Sequence, residues 1–201
     1  MFVPSLFQFP DKADMIAFMK QYSFATIITV KDGLPIATQL PFFIDERDGK
    51  LVLCSHFALA NEQARYIESA TSLVIFTQPH AYISPSHYDK RESVPTWDYI
   101  SVHAYGKAII LPDEADKRQS LEQTIRFYEP TYLEQWNTLS DKYKKGMMQG
   151  IVAFELTVTD LQGQKKLSQN KTDAERNRII NHLETSDNGA ERELAPYIRT
   201  L

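Results

Sequence analysis

Two Asp-Gly pairs, Asp32-Gly33 and Asp48-Gly49, constrain this chain more than any other feature. Each is flanked by β-branched and aromatic residues. A two-residue hairpin loop needs positive φ at both central positions, and Asp-Gly adopts that geometry at little cost. The pattern predicts a hairpin from residues 24–30 and 35–44, then a second turn within 45–50 that feeds a strand at 51–55. Further extended segments are expected at 73–76, 99–111 and 151–159, with a turn at 162–164. Six to seven short strands at this spacing, with helices before and after, point to a mainly β fold with flanking helices, a small barrel.

The helices are signalled by caps and periodicity. Asp11 and the apolar set Met15, Ile16, Phe18 and Met19 predict a helix over 11–22. Residues 58–69 read as helical, with Ala60, Ala64 and Ile67 inward. Helical segments are expected at about 113–149, broken by Pro130, and at 172–201, opened by a capping box from Thr172 to Glu175. At 201 residues these elements are expected to form one domain, able to bury roughly 70% of the unfolded chain's surface without a disulfide or metal. Cys54, the one cysteine, excludes an internal disulfide and fits a reducing cytoplasm. No apolar run approaches the ~20 residues a membrane-spanning helix needs, and residues 1–6 lack the basic start and apolar core of a signal peptide. A net charge of −4 argues against a large nucleic-acid footprint.

Chemistry-bearing residues concentrate in the run Thr77-Gln78-Pro79-His80-Ala81-Tyr82-Ile83-Ser84-Pro85-Ser86-His87-Tyr88 and in Val94-Pro95-Thr96-Trp97-Asp98. Prolines and small polar residues predict an ordered loop here, and such loops are disproportionately functional. His80, His87 and His103 match no standard metal spacing, and no carboxylate cluster accompanies them, which favours hydrogen-bonding roles. Ser55-His56 stand between a predicted strand and a predicted helix. A helix start offers free amides and a partial positive charge for a phosphate. A plain helix cap at Ser55 with a surface His56 explains the same residues. P-loop, dinucleotide-fingerprint, zincin and serine-hydrolase motifs are absent.

Several runs together carry a resemblance. They are Phe24-Ala25-Thr26, Leu40-Pro41-Phe42, His56 to Asn61, Phe76 to Ser86, Val94-Pro95-Thr96-Trp97, Val102 to Lys107, Gly150-Ile151-Val152 and Lys166-Leu167-Ser168-Gln169-Asn170. In this order the chain resembles the PaiB family of flavin mononucleotide (FMN)-binding negative transcriptional regulators. The resemblance implies an FMN-binding split β-barrel like that of pyridoxamine-phosphate oxidases. It also implies a homodimer with FMN sites at the interface. The flavin ring is then expected against Thr38, Gln39 and Leu40, and the phosphate by Ser55, His56 and Asn61. Gln78, His80 and His103 are expected from the partner subunit, and Lys166, Ser168 and Gln169 close the site. The family's usual His before Leu-Pro-Phe is Gln39 here, and the Arg usual between His56 and Asn61 is Leu59, changes that imply weakened FMN binding. A DNA partner follows from the family label alone. The fold also hosts flavin-dependent oxidoreductases, and a barrel without cofactor that acts through protein contacts is a third reading.

Overall fold

A computed structural model describes residues 1–201. Helix α1 (Lys12–Gln21) precedes strands β1 (Phe24–Lys31), β2 (Leu34–Pro41), β3 (Phe43–Arg47) and β4 (Lys50–Ala58). Strands β5 (Ser72–Ile83) and β6 (Thr96–Ile110) follow, then helices α2 (Glu114–Tyr128), α3 (Tyr132–Thr138) and α4 (Asp141–Gln149). The chain continues with β7 (Ile151–Lys166), α5 (Asp173–Glu184) and α6 (Gly189–Arg199). The seven strands form one sheet in the order β2-β1-β5-β6-β7-β4-β3, giving the expected mainly β fold with flanking helices. None of the helices is long and apolar enough to cross a membrane.

Both Asp-Gly pairs close their hairpins. Lys31 pairs with Leu34 and Arg47 with Lys50, each across a two-residue loop. The loop residues have positive φ: 50° and 80° at Asp32 and Gly33, and 52° and 75° at Asp48 and Gly49. Positive φ at both positions matches the right-handed twist of the flanking strands. β2 is an edge strand, which is why it tolerates Pro35 and Pro41.

Contacts divide the chain into two compact units. One holds residues 16–76 and 103–161. Its core is aromatic: Phe57 stacks on Phe154 with ring centroids 4.9 Å apart, and Phe42 meets the edges of Phe76 and Phe154. All four rings are fully buried, each stabilising the fold by about 1.5–3 kcal/mol over exposure. The other unit holds residues 1–15, 77–102 and 162–201. Helices α5 and α6 bury Ile179, Ile180 and Leu183 with Leu194, Ala195 and Ile198. The Thr172–Glu175 capping box forms as the sequence signals, and the Glu175 carboxylate also accepts from the Asp89 amide. Thr172→Ala should cost about 1 kcal/mol in urea unfolding, the usual worth of such a cap. An unchanged midpoint would mean that Glu175 alone holds the helix start.

Three expectations are corrected. Residues 58–69 form no α-helix. β4 extends to Ala58 through its pairing with Ile151, and one 3-10 turn follows at Glu62–Arg65. The run after Phe76 is not a loop until Ser84: Pro79, Ala81 and Ile83 are buried while Gln78, His80 and Tyr82 are exposed, the alternation of a strand. Gly163 marks no turn. It lies inside β7, where an added Cβ would stand 2.6 Å from the Met15 sulfur and 3.0 Å from the Phe9 carbonyl. Its role is close backbone approach, and Phe9 N–H donates to its carbonyl at 3.1 Å.

Candidate functional site

In the unit of residues 16–76 and 103–161, a polar network is built around the 3-10 turn. Asn61 precedes the turn and accepts from the Gln63 amide through Oδ1 at 3.0 Å. Gln63 is 1% exposed, so its amide group must be satisfied internally. Its Nε2 donates to the Ile27 carbonyl and to Thr29 Oγ1, each at 3.1 Å. Its Oε1 accepts from the Thr38 hydroxyl at 2.6 Å, and Asn61 Nδ2 donates to Thr38 Oγ1 at 3.0 Å. Thr29 and Ser72 hydroxyls lie 2.9 Å apart behind the network. Thr38 and Asn61, both half-buried, are thus brought together, and an exposed Lys31–Glu62 ion pair holds the turn from outside.

The other expected residues of this unit are placed differently. Gln39 is exposed opposite Thr26, and Leu40 is buried opposite Ala25. Ser55 is buried inside β4 and donates to the Pro41 carbonyl at 2.7 Å. His56 pairs with Ala153, and burial lowers its pKa, favouring the neutral ring. The helix start predicted after Ser55-His56 is missing, and the Leu59 amide donates to the Gly150 carbonyl at 2.8 Å. The amide cradle argued from the sequence therefore does not exist. His103 lies half-buried in β6. Its Nδ1 is buried without a partner, and burial lowers its pKa too. Cys54 is fully buried and its thiol is pushed up to about 12, chiefly by desolvation, so it is no nucleophile at neutral pH.

In the second unit, the expected residues split. Lys166 donates to the Thr96 hydroxyl, and Ser168 donates to Asp98 Oδ2 at 2.6 Å. Gln169 turns back on its own segment, donating to the Lys165 carbonyl and accepting from the Leu167 amide. Gln78 and His80 are exposed on β5, and the His80 ring centroid lies 6.0 Å from that of Trp97. Tyr82 meets the same indole edge-on at 5.9 Å. The clamp of Lys166 and Ser168 therefore holds Thr96 and Asp98, on either side of Trp97 in sequence.

Sequence reasoning missed Gln63 and the weight of Asp98. Asp98 is 0% exposed and has one oxygen without a partner, as has the buried Tyr88 hydroxyl. Burial pushes its carboxyl up to about 6, against weaker opposing pulls from Ser168, Lys166 and Lys171. The run around it was conspicuous, but nothing in the sequence marks the carboxylate as buried. Gln63 had the Asn61 cap as its only local signal.

A family model described as "Putative FMN-binding domain" matches residues 1–160. The chain is 36% identical to the "Protease synthase and sporulation protein PAI 2" of Bacillus subtilis, over 97% of this chain and 95% of that one. Among solved structures, the flavocytochrome Anf3 of Azotobacter vinelandii aligns with a TM-score of 0.61 and 18% identity, over 77% of this chain and 67% of that one. The FAD and heme binding protein of Mycobacterium smegmatis aligns with the same TM-score and identity, over 79% and 73%. These two likenesses fix the split-barrel fold. The family match and the Bacillus relative together show that this chain belongs to the PaiB-type FMN-binding family.

Proposed function

We propose that the chain binds FMN as a homodimer and works as a flavin-dependent regulatory protein of the PaiB type. The family match over residues 1–160 carries this reading. The donor set fits the group. Thr38 and Asn61 supply hydrogen-bonding capacity beside the exposed edge strand β2, and His103 Nδ1 is a buried polar atom that lacks a partner within the chain. Gln39 and Leu40 would flank the ring along β2, and His56 would lie toward the ribityl-phosphate end. Bound FMN would supply one- and two-electron redox chemistry. The residues of the chain orient the ring, keep water from it and present a neutral imidazole. Lys166 and Ser168 act at one remove, by holding the start of β6, and Gln169 braces the segment that carries them.

The net charge of −4 places no general electrostatic attraction to DNA behind the regulatory role. A promoter effect would need a local contact. The test is a mobility-shift titration of the flavin-loaded protein against its own upstream DNA at two salt concentrations. A salt-sensitive, sequence-selective shift is expected, and a shift equal on unrelated DNA would contradict the regulatory reading.

One observation favours a second reading, a flavin-dependent oxidoreductase. His103 is kept neutral by burial with a free ring nitrogen, the state a proton-transferring imidazole needs. Steady oxidation of a reduced nicotinamide cofactor, lost in His103→Ala with flavin still bound, would establish it.

A further inference from the structure

Two of the five histidines stand far apart in the chain and meet in space. His87 ends the 3-10 turn Pro85–His87 that follows β5, and His182 lies in the last turn of α5. Both belong to the unit of residues 1–15, 77–102 and 162–201. Their ring centroids are 4.9 Å apart, with 44° between the planes. The approach is braced by the backbone. Arg178 precedes His182 by one turn on the same face of α5. It donates from Nε to the His87 carbonyl at 2.7 Å and pairs with Asp89 at 2.5 Å. The Asp89 amide in turn donates to Glu175 Oε1 at 2.9 Å. These contacts hold the His87–Asp89 segment against α5.

Neither imidazole makes a hydrogen bond within the chain. The adjacent Arg178 and Asp89 neutralise one another. His87 is half-buried, and burial, with His182 and Arg178 alongside, lowers its pKa and favours the neutral ring that ligates a metal. His182 is exposed and can turn. A half-turn about Cβ–Cγ exchanges the nitrogen and carbon edges of a ring nearly in place, so ring position matters here more than the assigned edge.

The separation is that of two rings on one ion. With metal–nitrogen bonds of about 2.0–2.1 Å, each ring centre lies roughly 3.2 Å from the metal, and bond angles of about 90–109° put the two centres roughly 4.5–5.2 Å apart. No third histidine, cysteine or carboxylate completes the set. The remaining coordination positions are therefore open to water.

We propose that His87 and His182 form a two-imidazole site for a divalent transition-metal ion of the Ni²⁺, Cu²⁺ or Zn²⁺ class, which clamps α5 to the end of β5. Imidazole suits these ions, whereas Mg²⁺ and Ca²⁺ take oxygen ligands. Only the folded chain brings the two rings together, so the ion stabilises the fold. The site stands apart from the flavin reading and does not need it.

The test is a calorimetric titration of the tag-free, chelator-treated full chain with Ni²⁺, for the wild type, His182→Gln and His87→Gln. The wild type should take up one Ni²⁺ per chain with a Kd in the micromolar range, and Mg²⁺ should give no signal. Each substitution should weaken Ni²⁺ binding at least about tenfold. Excess Ni²⁺ should raise the thermal midpoint of the wild type by about 5 °C and leave that of His182→Gln unchanged. A wild type that takes up no Ni²⁺ overturns the site. Equal uptake by the wild type and His182→Gln does so too, because the ion is then held elsewhere. Uptake with no rise in the wild-type midpoint overturns the clamp. If His87→Gln fails to fold, the exposed His182→Gln decides alone.

Discussion

Asp98→Asn is expected to stabilise the protein at pH 7 by about 2–3 kcal/mol, an upward shift of the thermal midpoint of roughly 5–10 °C. The folded-state pKa of Asp98 is about 6, against an ordinary 3.8, with burial as the main cause. The folded state therefore binds this proton more tightly than the unfolded state. Between these two values wild-type stability falls as pH rises, and above about 6 the whole penalty is present. The Ser168 hydroxyl keeps an oxygen acceptor in the amide variant, so little is lost in exchange. Urea unfolding of both proteins from pH 4 to 8 should show a gap that is widest above pH 6 and closes toward pH 4. A variant less stable than wild type at pH 7 would mean that the carboxylate is compensated by its lysines more fully than its burial indicates.

Leu59→Arg is expected to tighten FMN binding by about 10–100-fold, the worth of one charge-assisted hydrogen bond to a phosphate. Leu59 is 61% exposed just beyond β4 and two residues before Asn61. An arginine there meets no burial cost. The PaiB-type pattern usually carries arginine at this point; here Lys31 is already paired with Glu62, and the nearest other cation is Arg65, at the end of the 3-10 turn. Riboflavin, which lacks the phosphate, should bind the variant and the wild type equally. Titration with both ligands decides. An equal gain for the two would show general tightening and not a phosphate contact, and no gain would place the phosphate elsewhere.

Legibility in the sequence followed the range of the interactions. The Asp32-Gly33 and Asp48-Gly49 loops and the Thr172–Glu175 cap were readable because each depends on neighbours within a few residues. Residues 58–69 were misread because the apolar spacing of Ala60, Ala64 and Ile67 suits a helix, while pairing of Ala58 with Ile151 prolongs the strand. The extension of β5 to Ile83 is masked by Pro79 and by Pro85 just beyond the strand, although its period-two burial is present in Pro79, Ala81 and Ile83. Gly163 looked like a turn because the demand for a missing Cβ comes from Phe9 and Met15, far away in the chain.

The candidate site divides along the same line. Thr38 and Asn61 were named through the family resemblance, but nothing local predicted that one glutamine would tie them together. Gln63 bonds to Ile27 and Thr29 on β1, and long-range polar contacts leave no periodic trace. Ser168 and Lys166 were named as well, yet their strongest contacts are structural, to Asp98 and Thr96.

The central claim is that this chain holds FMN, and the absorption spectrum of the purified protein, followed by FMN titration read by flavin fluorescence, tests it most directly. A yellow protein, or saturable quenching near one FMN per chain, is the predicted result. A colourless protein that leaves flavin fluorescence unchanged at every concentration would contradict it.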